Sequence, residues 1–129
     1  MHRFETLAIG IAAGILAPVA GLGCFSDCTT SVVPAIAADV HSATTGLPLA
    51  DSAIGFAMDG AYSDSLIPCG ADSLSRITRI CGAWERAGIY TVVVTRPGYQ
   101  RWSQGGVSAS RRACHVQTQT VQAAMAPNP

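Results

Sequence analysis

The feature that most constrains the fold of this chain is an alternation of larger apolar residues with smaller or polar ones, with a period of two. Residues 36–41 and 75–81 alternate in this way, and Gly88–Thr95 carries a β-branched or aromatic side chain at every position after Gly88. No stretch of residues 24–129 repeats apolar residues with helical spacing over three turns. A period of two is typical of strands, which β-branched and aromatic residues also favour. The sequence therefore predicts an all-β domain.

Turn residues divide the chain into about seven short strands. Asp59-Gly60 predicts a tight hairpin turn, because both residue types tolerate a positive φ. Ser65–Ser75 is polar and contains a proline and a glycine, so we expect a loop there. In the strand before the hairpin, Ile54, Phe56 and Met58 share one face. Short strands joined by such turns predict an antiparallel sandwich or barrel.

Residues 1–23 predict a secretory signal segment. Met1–Arg3 supplies a positive start, and Leu7–Val19 is an uncharged apolar run that is too short and too rich in glycine for a membrane span. Ala20–Cys24 resembles the lipobox of bacterial lipoproteins, in which the cysteine becomes the acylated first residue. Gly21 stands where that pattern has a leucine, and an ordinary signal cleavage directly before the cysteine also fits. We expect an exported chain, either a lipoprotein anchored at Cys24 in the outer or cytoplasmic membrane or a secreted or periplasmic protein.

The cysteine count bears on the compartment. The chain has five cysteines, and an odd number in an exported protein needs an explanation. If Cys24 carries lipid, an even set remains for disulfides in an oxidising compartment: Cys28, Cys69, Cys81 and Cys114. A zinc site made from Cys69, Cys81, Cys114 and His115 is disfavoured, because no Cys-x-x-Cys pair occurs.

The charge of the chain excludes one class of partner. Eight arginines balance eight acidic residues, there is no lysine, and only 12% of the residues are charged. A neutral chain lacks the basic surface that nucleic-acid binding requires, so we expect no nucleic-acid partner. The hydrophobic share of 49% is also too high for a disordered protein.

Three short motifs resemble one family in their order and spacing. They are Thr45-Gly46-Leu47-Pro48 after a strand, Gly88–Val94, and Pro97-Gly98-Tyr99. With these motifs, residues 34–126 resemble the carboxypeptidase regulatory-like domain, a transthyretin-like module. The resemblance implies a seven-stranded antiparallel Greek-key sandwich of the prealbumin type and an accessory role without catalysis. We expect residues 24–33 to be a linker after the lipid anchor and residues 127–129 to be a disordered tail.

Candidate catalytic and metal-binding residues are few. His41 and His115 lack the paired pattern of the related iron dioxygenases, and no Gly-x-Ser-x-Gly motif occurs. We interpret both histidines as polar residues at strand edges. Asp59, Asp64 and Asp72 do not have the spacing of a calcium-binding loop. We therefore expect no enzyme activity, no cofactor and no metal. An enzyme would need a concave pocket with convergent ionisable groups.

The aromatic residues leave a second function open. Tyr99, Arg101 and Trp102 form a candidate binding surface, with Trp102 flanked by polar residues. The main hypothesis is an exported accessory domain with a structural or binding role in the cell envelope and an envelope protein as a candidate partner. The alternative is a carbohydrate- or peptide-binding module that uses this aromatic edge. An exposed Trp102 would favour binding, whereas burial would favour a structural role.

The sequence also generates a testable disulfide prediction, Cys28–Cys114 and Cys69–Cys81. A Cys69–Cys81 bridge closes the segment poorest in core residues and stabilises by roughly 3 kcal/mol in the chain-entropy description. In a transthyretin-like sandwich the first and last strands run near each other, which favours pairing Cys28 with Cys114. Peptide mapping without reduction is expected to recover both cross-linked peptides. A peptide that joins Cys28 to Cys69 or Cys81 would contradict this pairing.

Overall fold

The structure is a computed structural model that describes residues 28–129, so the predicted signal segment 1–23 and Cys24 lie outside the described residues. This part of the chain contains nine strands and one short 3-10 helix, Ala50–Ser52. The strands are β1 (Pro34–Ser42), β2 (Ile54–Asp59), β3 (Tyr62–Ala71), β4 (Ile77–Trp84), β5 (Gly88–Thr95), β6 (Trp102–Ala109), β7 (Arg111–Arg112), β8 (His115–Val116) and β9 (Gln119–Met125). The predicted all-β class is confirmed for the described residues.

Seven of the strands form one mixed sheet in the order β6-β5-β2-β3-β4-β1-β9. Neighbouring strands are antiparallel except β1 and β9, which run parallel from the Ile36–Gln119 pair to the Ser42–Met125 pair. The purely antiparallel arrangement expected from the sequence is therefore not observed. Its physical reason is that β6 already finishes at the end of the sheet where β1 begins, and the β7–β8 hairpin keeps the chain at that end, so that β9 starts beside the start of β1.

The two edge strands of the sheet, β6 and β9, approach each other, so the sheet nearly closes into a barrel. Beyond the strands, Tyr99 and Pro127 form an isolated bridge, and the Asn128 N–H donates to the Gly98 carbonyl at 2.9 Å. The sequence predicts a disordered tail at 127–129, whereas Pro127 and Asn128 pair with the loop between β5 and β6.

Most of the segment predicted to be a loop belongs to β3. Leu66 is buried, and Ser65 and Ile67 on either side of it are exposed, as expected of a strand with one solvent-facing side. The ladder with β4 continues through register shifts at Pro68–Ala71. Because serine, proline and glycine recur along β3 and its far end is bulged, the local composition resembles that of a loop.

The strand β2 turns its large apolar side chains away from the core. Gly55 and Ala57 are buried, whereas Ile54 is 58% exposed and Phe56 is 38% exposed. A Cβ atom at Gly55 would lie 2.6 Å from Cδ1 of Ile80. The interior therefore has no room for a larger residue at this position, and the packing of β4 decides which face of β2 points inward.

The core itself consists mainly of alanine, valine and isoleucine side chains and one large ring. Tyr90 is fully buried, and its hydroxyl donates to the Arg86 carbonyl at 2.5 Å. The Arg86 guanidinium lies 3.8 Å from the centre of the Tyr62 ring and pairs with Asp59 at 3.1 Å. The Arg86 cation thus lies between the Tyr62 and Tyr90 rings, at the end of the barrel where β4 leads into β5.

Two isoleucines on opposite sides of the sheet test this packing. Ile80→Ala is expected to lower the free energy of unfolding by about 2–5 kcal/mol, because it leaves a cavity in the core. Ile54→Ala removes the same atoms from an exposed face and is expected to cost less than about 1 kcal/mol. Urea unfolding of the oxidised chain measures both values, and equal losses would contradict the assigned face of β2.

Candidate functional site

Two disulfides have the pairing predicted from the sequence. Cys28 pairs with Cys114, with their Cα atoms 5.3 Å apart, and Cys69 pairs with Cys81, with a Cα separation of 5.8 Å. The first joins the segment before β1 to the β7–β8 turn, and the second joins β3 to β4. Disulfides persist in oxidising compartments, so the pair indicates an extracytoplasmic location.

Beside the first disulfide, Glu85 binds the segment that leads into β1. Its carboxylate accepts the Val33 N–H at 2.9 Å and the Val116 N–H at 3.3 Å, and it contacts His115 Nδ1 at 2.5 Å. Glu85 itself has a left-handed backbone, with φ of 52°. The side chain thus joins three segments that are distant in the sequence. We call Glu85, His115 and the Val33 and Val116 amides the tether clamp.

The tether clamp extends to a hydroxyl group. Because Nδ1 of His115 faces the Glu85 carboxylate, the neutral imidazole carries its proton on Nδ1 and accepts at Nε2. Nε2 lies 3.0 Å from Oγ1 of Thr29. A carboxylate, an imidazole and a hydroxyl in this order resemble an acid–base relay. The carboxylate also accepts two backbone amides, and the contacts join Thr29 and Val33 to β8, so the arrangement fastens the N-terminal segment.

The hydrogen bonds to the Glu85 side chain favour its ionised form. Burial alone would raise its pKa, but the hydrogen bonds from His115, Val33 and Val116 together hold the pKa of this carboxyl below its usual value. Nothing in the local sequence around Glu85 marks it as special, because its partners lie about 30 and 50 positions away along the chain.

The candidate binding surface at Tyr99, Arg101 and Trp102 lies at the opposite end of the barrel. Both rings are half-buried and pack against the core, and Trp102 is the first residue of β6. The Arg96 guanidinium lies 5.4 Å from the centre of the Tyr99 ring. Arg101 is exposed. Partial burial of both rings against the core limits the aromatic area that this segment presents.

An apolar surface that the sequence did not single out lies on the outside of the sheet. Phe56 is paired in register with Val93 on β5 and with Ser65 on β3. Ile54 and Ile67, 58% and 52% exposed, flank it. We call Ile54, Phe56 and Ile67 the outer apolar face. The outward residues of β2, β3 and β5 around it carry no charge.

Two shallow grooves lie on either side of Pro48, with volumes of about 330 and 320 Å³. Arg96 pairs with Asp51 in the first at 3.1 Å, and Arg79 pairs with Asp39 in the second through two contacts at 2.6 and 3.2 Å. The Arg79 hydrogen bond holds the pKa of Asp39 below its usual value. The arginine and the carboxylate of each of these two pairs therefore compensate one another.

Comparison with known proteins adds no family assignment. No protein-family model matches the chain, and no curated protein matches it. Within residues 28–129, no three metal-binding side chains lie together as a metal site would require. The same residues contain no helix long and apolar enough to cross a membrane.

The tether clamp predicts a pH dependence. Because the folded pKa of Glu85 is lowered, its contribution to stability is present above its unfolded value of about 4.3 and is lost as the pH falls through the folded value. Glu85→Gln is therefore expected to lower Tm at neutral pH, and the Tm difference from wild type should shrink in acid. Thermal unfolding from pH 7 to pH 2 measures this difference.

Asp51→Asn serves as the control, because Asp51 is exposed and makes one surface ion pair at the other end of the barrel. A Tm difference between Glu85→Gln and wild type that stayed constant with pH would show that the Glu85 charge does not hold the clamp.

Proposed function

We propose that this chain is a non-catalytic accessory domain that is exported, acylated at Cys24 and held in the cell envelope in a structural or binding role. The observation that carries the proposal is the Cys28–Cys114 disulfide, which fastens the chain to the folded domain four residues after Cys24. Four residue steps reach at most about 14 Å. The domain would therefore sit directly at the membrane surface.

The rest of the linker supports the same role. The described part of the linker, residues 28–33, is fixed a second time where Glu85 binds the Val33 N–H at 2.9 Å. A linker meant to let a domain search a large volume is rich in glycine and serine and free of such contacts. Contacts of this kind suit a structural part or a binding module that must present one side.

Two turns support the resemblance to the carboxypeptidase regulatory-like domain. Gly46 and Gly98 belong to the motifs that carry the resemblance, and their φ values are 73° and 85°. Residues with side chains rarely adopt this backbone, so both turns favour glycine. We propose that the half of the sheet with β1, β4 and β9 and the half with β2, β5 and β6 are the layers of a prealbumin-like Greek-key sandwich that share β3.

Mass spectrometry of the mature protein from its native host tests the anchor. The mature mass is expected to begin at Cys24 and to include acyl chains, and the protein should fractionate with membranes. Cys24→Ser should release it into the soluble fraction, whereas Ser26→Ala, the matched control, should stay in the membrane fraction. A mature chain that begins at Cys24 without acyl groups would refute the anchor and leave export intact.

A further inference from the structure

The arginines of the described residues divide into two groups. Four of them pair with aspartates at 2.6–3.1 Å: Arg76, Arg79, Arg86 and Arg96. In residues 28–129 the other three, Arg101, Arg111 and Arg112, form no ion pair with a carboxylate. Two of these three are consecutive and make up β7, so the unpaired positive charge concentrates in the β7–β8 hairpin.

The two arginines of β7 are exposed. Arg111 donates to the backbone carbonyl of Glu85 at 2.8 Å and to that of Cys114 at 3.4 Å. Both acceptors are uncharged carbonyls, so these bonds fix the direction of Arg111 without forming an ion pair. Arg112 is exposed next to Ala113, whose left-handed backbone, with φ of 48°, forms the tight turn of the hairpin.

The first disulfide determines where this hairpin lies relative to the proposed anchor. From Cys24 to Cys28 the chain reaches at most about 14 Å, and from Cys114 back to Arg112 at most about 7 Å. The disulfide joins the two paths across 5.3 Å. The sum of these three lengths is an upper limit, so the Cα atom of Arg112 lies within about 26 Å of the acylated residue. The long arginine side chain shortens the distance that remains between the guanidinium group and the membrane.

We propose that the β7–β8 hairpin is a lipid-facing surface whose Arg111 and Arg112 bind the phosphate groups of anionic phospholipids; this inference rests on the proposed anchor at Cys24. Guanidinium groups match phosphate with paired hydrogen bonds, and an anionic surface attracts basic residues close to it. The Glu85 carboxylate forms its hydrogen bonds with His115 and with the Val33 and Val116 amides, and it forms no ion pair with Arg111 or Arg112.

The experiment uses the mature chain, Cys24–Pro129, with both disulfides formed, so that Cys24 has the one thiol left for coupling to a maleimide lipid. The coupled protein is placed on nanodiscs of phosphatidylcholine, with or without phosphatidylglycerol, that contain a gadolinium-chelating lipid. Paramagnetic broadening of backbone amides then reports which part of the domain lies near the headgroups.

We expect the amides of Arg111 and Arg112 to broaden more strongly on the anionic discs, and molar salt to remove the difference. Each arginine near an anionic surface should favour the orientation in which the hairpin faces the membrane about fivefold. The double variant Arg111→Gln with Arg112→Gln should therefore reduce the ratio of this orientation to the others about 25-fold. Arg101→Gln, which removes an exposed arginine at the other end of β6, is the control and should change nothing.

Equal broadening on neutral and anionic discs, or an equal effect of Arg101→Gln, would overturn the lipid-facing hairpin. Because the lipid is attached chemically, this result does not depend on natural acylation. A failure here with an acylated native Cys24 leaves the proposed function in place, whereas an unacylated native Cys24 refutes the anchor itself.

Discussion

The pairing of the first strand with the last is the interaction on which the rest of this structure depends. β1 lies between β4 and β9, and residues 35–38 at its start are at most 1% exposed. Bringing together the two ends of a chain costs closure entropy that only later contacts offset. The contacts that offset it collect at the start of β1, where a disulfide, a carboxylate and a buried strand all join the N-terminal segment to β8 and β9.

The choice of core residues explains why such fastening is needed. A core of mainly alanine, valine and isoleucine lets the two sides of the barrel approach closely, but each side chain buries little apolar area. In the chain-entropy description a disulfide that closes a loop as long as that between Cys28 and Cys114 contributes about 4–5 kcal/mol, a large share of the stability of a small domain. The cross-links thus compensate for a core with one large buried ring.

The local sequence pattern predicted those elements in which every residue favours the same secondary structure. Gly88–Thr95 is found as β5 with its predicted bounds, because every residue in it favours a strand. The inward face of β2 was not predictable, since Ile80, 25 positions away, leaves no room beside Gly55. The role of Glu85 was equally hidden, because its left-handed backbone and its partners arise only in the fold. The sequence pattern did not single out Arg111 and Arg112, because their position relative to the proposed anchor follows only from the Cys28–Cys114 disulfide.

The parallel pairing of β1 and β9 also has a mechanical consequence. The anchor would hold the chain at the start of β1, and the C-terminal residues leave the barrel at the far end of β9. A force pulling these two points apart passes from the anchored segment through the Cys28–Cys114 disulfide into the chain that enters β9, and then along β9 itself. Covalent bonds therefore carry the load, while β1 and its hydrogen bonds to β9 lie outside the path of tension. Reduction of that disulfide would move the load onto the parallel β1–β9 pair, whose hydrogen bonds would then be loaded in shear.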